Sequence, residues 1–447
     1  MLGRARREVV NVSQHGVAHT IPRFLSSSVP VPSFFHHETT FDAVKTLGDA
    51  FSGPPFSDFK RRPVFQTITT TGDCLLRSSD QSSVSGTPRE RNVAIDNVRH
   101  QDLNNSDILK RILWSMIRLR ALDQTFKAAQ RQGKLSFYLE SYGEEASVVA
   151  SAAALHAEDD IFSQYREHGA LLWRGASFQS LAHQCVGTRD DSGKGRQMPI
   201  HYGDRARNFH TVSSPLATQI PHAVGFSYAK KLRSEKMVGK DARSIVACYF
   251  GDGTSSEGDF HTGLNFAATL KCPVIFICRN NGYAISTPTK EQYGGDGIVS
   301  RAEGYGLTSC RVDGGDARAV FAATREARRQ VIETGRPILL ELMTHRLGDH
   351  STSDDRRNYV PESQLAHAER FGDPISRLAL FLGVAEDEQA ISHNQAIIEA
   401  REAIEVAYRT PRPDIQTMFD DIYDPISQEQ SQELGRQRKS LIGGDGA

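Results

Sequence analysis

Ser244-Ile-Val-Ala-Cys-Tyr-Phe-Gly-Asp-Gly253 is a short apolar run that ends in a glycine-rich turn, and Pro273-Val-Ile-Phe-Ile-Cys-Arg-Asn-Asn281 repeats the pattern. The β-branched and aromatic content of both runs predicts strands over 244–250 and 273–279. The intervening stretch predicts a helix over 257–270. Both strands lack the polar alternation of a half-solvated sheet, as expected for a parallel sheet covered on two faces. Working outward, a strand near 309–312, a helix over 317–333 and a strand over 337–344 continue the alternation. Upstream, Ser214-Pro-Leu-Ala-Thr-Gln-Ile-Pro221 leads into a helix near 222–232. The fold class is therefore α/β, a parallel sheet with helices on both faces.

Helical and irregular extensions flank this core. Ser106-Asp107 can cap a helix whose apolar positions Ile108, Ile112, Leu113, Met116, Ile117, Leu119 and Leu122 follow at helical spacing. A second helix is expected over 144–155, and helices from 374 onward are broken by Pro-Arg-Pro at 411–413. Residues 38–104 read as an irregular extension with a polar linker over 78–91, and 231–243 as a surface loop. The expected divisions are 1–37, 38–104, an α/β domain over 105–360 and a helical extension over 361–447.

The turn Gly251-Asp252-Gly253 carries the chemistry. In an open parallel sheet, ligands sit at the carboxyl ends of the strands. Glycines there let the backbone come close, and a helix N-terminus offers N–H groups to an anion. An acid beside a phosphate repels it unless a divalent cation lies between them, so Asp252 is read as a hard oxygen ligand for Mg²⁺. Alone, Gly-Asp-Gly is commonly just a turn. The second half of the pattern is Asn280-Asn281, which a β-α-β unit returns beside the first strand end. The amide oxygen of Asn281 can then share the metal, with a carbonyl at Tyr283 as a further ligand.

These motifs resemble the thiamine diphosphate signature of transketolase-like enzymes. More closely, Arg279-Asn-Asn-Gly-Tyr-Ala-Ile-Ser-Thr-Pro-Thr289 is similar to the α subunits of branched-chain 2-oxo acid dehydrogenases. The resemblance spans roughly residues 105–425. It implies the thiamine diphosphate-binding fold, with Mg²⁺ on Asp252, Asn281 and Tyr283. Tyr165 and Arg166 would bind the diphosphate, since an arginine fork matches phosphate geometry. Gly253, Thr254, Arg279, Ser214 and Leu216 would also face the cofactor. Ser213, Pro215, Thr218 and Gln219 would hold K⁺. Asp252 stands where animal relatives show a glutamate, a change that keeps the ligand type and shortens its reach.

His345-Arg-Leu-Gly-Asp-His350-Ser-Thr-Ser-Asp-Asp355 follows the last predicted strand. A histidine there suits proton donation near neutral pH, and the resemblance implies His350 as the catalytic histidine. Ser351 reads either as part of a solvated, mobile loop or, by resemblance, as an inhibitory phosphorylation site, which implies a kinase and a phosphatase. Pro361 stands where the family has a second such serine, and Ser363 is not a clear substitute.

No second α/β domain supplies the acid that must activate the cofactor's pyrimidine ring. By resemblance, that acid comes from a β subunit in an α2β2 assembly, with a lipoyl acyltransferase core accepting the acyl group. A pyruvate dehydrogenase α subunit and a noncatalytic subunit of the same fold are the alternatives. The first usually differs in the asparagine and histidine motifs, and the second should have lost Asp252, Asn281 or His350.

The whole-chain properties agree. With 53 Lys plus Arg against 54 Asp plus Glu in 447 residues, there is no basic field to attract nucleic acid. No apolar run approaches the roughly 20 residues needed to cross a bilayer, so no membrane partner is expected. Six cysteines form no C-x-x-C pair and read as reduced, buried thiols of a reducing compartment. Residues 1–37 carry Arg4, Arg6, Arg7 and Arg23 against Glu8 alone, with Ser26-Ser-Ser28, the composition of a mitochondrial transit peptide. The expected location is the mitochondrial matrix.

Overall fold

Residues 106–234, 244–415, 417, 420 and 428–442 are described by a computed structural model. The expectations for 1–37, 38–104 and Cys74 lie outside the described residues, as does most of the loop expected over 231–243; its first four residues, 231–234, are instead the end of a helix.

Helix α1 (Ser106–Arg131) buries Leu109, Ile112, Leu113, Met116, Leu119, Leu122 and Phe126 along one side, the stripe that its spacing predicts. After α2 (Glu145–Ala153) the chain enters β1 (Asp160–Phe162). Two short helices, α3 (His168–Trp173) and α4 (Phe178–Val186), precede β2 (Phe209–His210). Helix α5 (Gln219–Ser234) leads to β3 (Val246–Gly251), α6 (Gly258–Leu270) and β4 (Val274–Asn280). A small antiparallel hairpin, β5 (Tyr283–Ala284) and β6 (Thr287–Pro288), is followed by the single turn α7 (Thr289–Gln292). Strand β7 (Thr308–Asp313), helix α8 (Ala317–Thr334) and β8 (Ile338–Met343) complete the sheet. Four helices close the described chain: α9 (Glu362–Phe371), α10 (Pro374–Leu382), α11 (Glu386–Arg409) and α12 (Gln428–Ile442).

The six strands run in the order β2-β1-β3-β4-β8-β7, every neighbouring pair parallel. Side-chain alternation sorts β3 and β4 between two cores. Ala247, Tyr249, Ile275 and Ile277 face one core with residues of α1, α2, α8 and α11. Val246, Cys248, Phe250, Val274, Phe276 and Cys278 face the other with Ile220 and Val224 of α5 and Phe260 and Leu264 of α6. Each fully buried aromatic or aliphatic side chain here contributes about 1.5–3 kcal/mol. This explains why the strands read as continuous apolar runs.

The order also positions the site. The chain leaves β1 for β2 on one side and returns to β3 on the other, so the crevice between the ends of β1 and β3 is a switch point. Strands β1 and β2 escaped sequence reading because three and two residues are too few to show a period. The expected helix over 257–270 is observed, preceded by a tighter 3₁₀ turn over 253–256. Among the described residues no helix is long and apolar enough to cross a membrane. The five described cysteines are free thiols, four of them buried and Cys310 partly so.

Candidate active site

Asp252 follows the last residue of β3 and is 1% exposed. Its carboxylate accepts a hydrogen bond from Gln292 Nε2 at 3.0 Å and another from the backbone N–H of Asn281. Among the described residues no cationic side chain pairs with it. Burial weakens it as an acid, raising its pKa to about 6, only partly offset by those two hydrogen bonds and one from its own backbone. The two strand tips are also joined through the backbone, since Asp252 N donates to the Arg279 carbonyl at 3.3 Å. Asp252 and Asn281 thus meet at one place, as their spacing implied. Asn281 Oδ1 accepts from the Tyr283 backbone at 3.1 Å, which places the third expected ligand in the same turn.

The glycine after Asp252 lets the hairpin close over this turn. A Cβ at Gly253 would lie 2.7 Å from Ala284 Cβ. Gln164, at the end of β1, ties the neighbouring loop in: its Oε1 accepts from Gly251 N at 2.9 Å and from Thr254 Oγ1 at 2.7 Å.

The two arginines of the site differ in their partners. Arg279, 2% exposed, donates Nε to Glu167 and Nη1 to Glu144, each at 2.5 Å. Burial alone would lower its basicity, but the two carboxylates outweigh that and raise it. Arg166 is equally buried and has no ion pair among the described residues. It donates to the Glu140 carbonyl, to the His350 carbonyl at 2.5 Å and to His350 Nδ1 at 3.2 Å. Burial, with Arg279 and Arg346 nearby, pulls its basicity down against the opposing effect of Tyr165 and the Glu144 carboxylate. Among the described residues the site therefore contains a buried cation that forms no ion pair and a buried carboxylate that forms none. That is the charge pattern a metal-bridged polyanion complements.

His350 stands in the loop after β8. Tyr165 meets it edge-on, ring centroids 6.2 Å apart. The ring does not keep the near-neutral acidity expected from sequence. Burial, then Arg166 and Arg346, push its pKa down to about 3 against weaker opposition from Asp354 and Glu144. In the chain alone it is neutral at pH 7. Its loop is held by several hydrogen bonds: His350 N donates to Asp354 Oδ2 at 2.8 Å and Tyr359 OH to the same oxygen at 2.6 Å. Arg346 spans to Ile285 O at 2.9 Å, joining this loop to the hairpin. Ser351 is half-buried, and its Oγ accepts from Ser353 N at 3.2 Å.

The segment before α5 is open at one end and buried at the other. Ser214 and Leu216 are exposed, with Ser214 Oγ 2.6 Å from His201 Nε2. Thr218 Oγ1 donates to the Pro215 carbonyl at 3.0 Å. Gln219 is buried, donates Nε2 to Tyr249 O at 3.1 Å, and leaves its Oε1 without a hydrogen-bond partner. Ser213 precedes this run, partly buried.

Sequence reasoning did not assign Glu144, Gln164, Glu167, Gln292 or His201. Gln164 and Glu167 flank the Tyr-Arg pair, and Glu144 opens a predicted helix, so their positions were visible. That they converge on Arg279, Asn281 and Gly251 depends on the strand order. Among the described residues no cluster of three or more His, Cys, Asp or Glu side chains could hold a metal. A site made of one carboxylate, one amide oxygen and one carbonyl does not depend on such a cluster.

A family model described as the dehydrogenase E1 component matches residues 114–416. The chain belongs to the dehydrogenase E1 component family. Membership carries dependence on thiamine diphosphate with it. The family's curated members include the mitochondrial 2-oxoisovalerate dehydrogenase subunit alpha of Homo sapiens, 44% identical over 407 residues, 88% of this chain and 89% of the relative. The corresponding subunit of Caenorhabditis elegans is 48% identical over 335 residues, 73% of this chain and 74% of the relative. Subunit alpha 2 of Arabidopsis thaliana is 46% identical over 335 residues, 74% and 70% of the two chains.

Proposed function

We propose that this chain is the α subunit of a mitochondrial branched-chain 2-oxo acid dehydrogenase. In this role it oxidatively decarboxylates 3-methyl-2-oxobutanoate and related acids and passes the acyl group to a lipoyl arm of an acyltransferase core. The names of its relatives support the substrate class and the compartment, and the arginine-rich residues 1–37 suit import into the matrix.

One observation supports the site assignment above the others: Arg166 and Asp252, both at most 2% exposed, form no ion pairs among the described residues, and the same Glu144 carboxylate acts on both. Asp252, the amide oxygen of Asn281 and the Tyr283 carbonyl would hold Mg²⁺, and Arg166 with Tyr165 would hold the diphosphate. Thr254 and Gly253 line the turn beneath it, and Arg279 stiffens the wall behind. Ser214 and Leu216 would flank the ring portion. Thiamine diphosphate supplies the electron sink for decarboxylation when bound. His350, neutral and accepting at Nδ1 from Arg166, would hold its proton at Nε2 and supply it to the reaction when the coenzyme is bound. The unpartnered Oε1 of Gln219, with Ser213, Pro215 and Thr218, suits K⁺.

The activating acid for the pyrimidine ring belongs to a β subunit, so the working unit is an α2β2 assembly. Ser351 is the proposed target of an inhibitory kinase, reversed by a phosphatase. A phosphate there adds about −1.5 to −2 charges beside the Asp354 carboxylate that holds the His350 amide. The deciding experiment uses the co-expressed αβ pair. Calorimetry should show thiamine diphosphate binding only with Mg²⁺, and turnover should favour 3-methyl-2-oxobutanoate over pyruvate. A preference for pyruvate would refute the substrate assignment, and absence of metal-dependent binding would refute the site.

A further inference from the structure

The amide of Asn281 has two ends, and only one can serve a cation. Its Nδ2 donates to Glu144 Oε1 at 2.7 Å, and its Oδ1 accepts from the Tyr283 backbone at 3.1 Å. Glu144 is fully buried and reaches Asn281 from the start of α2, far away in sequence. Its other oxygen accepts Arg279 Nη1 at 2.5 Å, and Thr344 Oγ1 at 3.3 Å braces the first.

A carboxylate only accepts hydrogen bonds. The nitrogen end of Asn281 must therefore face Glu144, and the oxygen end must face the turn of Asp252 and Tyr283. The flipped amide would set its oxygen against a carboxylate oxygen in a buried place, an arrangement of like partial charges that low dielectric makes costly. We propose that Glu144 is a positioning residue that locks the Asn281 amide with its oxygen presented to the divalent cation. The inference rests on the metal assignment made above and names the residue that makes Asn281 a ligand.

The same geometry determines what a mutation does. In Glu144→Gln, Arg279 is a donor and takes the new amide oxygen. The new Nε2 then faces Asn281, whose amide must flip and present its own nitrogen to the cation. Asn281→Asp sets two acids against one another. In the double variant Glu144→Gln/Asn281→Asp, the glutamine nitrogen donates to one aspartate oxygen and leaves the other for the metal. The total charge is then that of the wild type.

The test uses the co-expressed αβ pair, with Mn²⁺ as the probe and free ion followed by electron paramagnetic resonance in the presence of thiamine diphosphate. Circular dichroism and gel filtration report folding. Glu144→Gln should weaken Mn²⁺ uptake at least tenfold, within the usual range for residues that orient metal ligands. The double variant should recover to within about threefold of wild type and exceed Asn281→Asp clearly. If wild type takes up no Mn²⁺, the metal assignment itself fails. If wild type binds and Glu144→Gln stays within twofold of it, the positioning role is overturned. A double variant no better than Asn281→Asp overturns it too, because a merely structural Glu144 predicts no rescue. Should Glu144→Gln alone fail to fold, the comparison of Asn281→Asp with the charge-conserving double variant decides.

Discussion

Gly251 of β3 and Arg279 of β4 stand opposite each other at the last rung of their parallel ladder. Just beyond them, Asp252 (one residue past Gly251) and Asn281 (two past Arg279) meet through a backbone hydrogen bond to the carboxylate. The ladder register determines the distance between two side chains separated by a whole helix, so the site inherits its rigidity from the most buried part of the sheet.

Asp252→Ala should abolish that meeting without unfolding the chain, because the residue lies beyond the strand and caps no helix with its side chain. Metal-dependent binding of thiamine diphosphate to the αβ pair is expected to fall by at least about tenfold, a loss of more than about 1.4 kcal/mol. Calorimetry with and without Mg²⁺ measures it, and undiminished binding would remove Asp252 from the site.

Gly253→Ala tests how closely the hairpin packs. The added Cβ would sit 2.7 Å from Ala284 Cβ, so the hairpin must shift at a cost of about 1–3 kcal/mol. A thermal melt of the αβ pair should show a lower midpoint and weaker coenzyme binding together. An unchanged midpoint would mean that the hairpin yields freely.

Arg279→Met leaves Glu144 and Glu167 buried with their shared cation gone. Breaking a buried ionic group in this way costs about 3–5 kcal/mol. Chemical denaturation should register a correspondingly earlier transition. A small effect would show that water or a proton replaces the guanidinium at little cost.

His350 gives a pH dependence with a definite sign. Its value falls from 6.5 to about 3 on folding. Between those limits the unfolded chain binds a proton that the folded chain refuses. The group's contribution to stability is therefore present above about pH 6.5 and lost as pH falls toward 3. The ring resonances should show a neutral imidazole from pH 8 down to 5. Pyrophosphate, by compensating Arg166, should raise the titration midpoint. A ring that titrates near 6.5 without ligand would contradict the geometry.

Ser351→Glu should nearly abolish turnover while the melting transition remains within a few degrees of wild type. The added charge enters the turn in which Asp354 N donates to the Ser351 carbonyl and Asp354 holds the His350 amide at 2.8 Å, so the loop loosens and the core does not. Full activity in this variant would count against the proposed switch.

The sequence alone determined the elements that a long period or a dense apolar run makes visible. Strands β3, β4 and β8, helices α1, α6 and α8, and the Gly-Asp-Gly and Asn-Asn turns fall within a few residues of expectation. Burial on both faces demands continuous apolar strands, and that demand is written locally. Strand order is not local, and neither is partnership. That β1 lies beside β3, that Glu144 and Glu167 claim Arg279 while Arg166 forms no ion pair among the described residues, and that Glu144 sets the Asn281 amide emerge only when distant segments pack together. His350 shows the same limit. Its residue type suggested a near-neutral group, but the two arginines and the burial that surround it in the fold make it neutral. Charge partners are chosen by proximity in space, and proximity is a property of the folded chain.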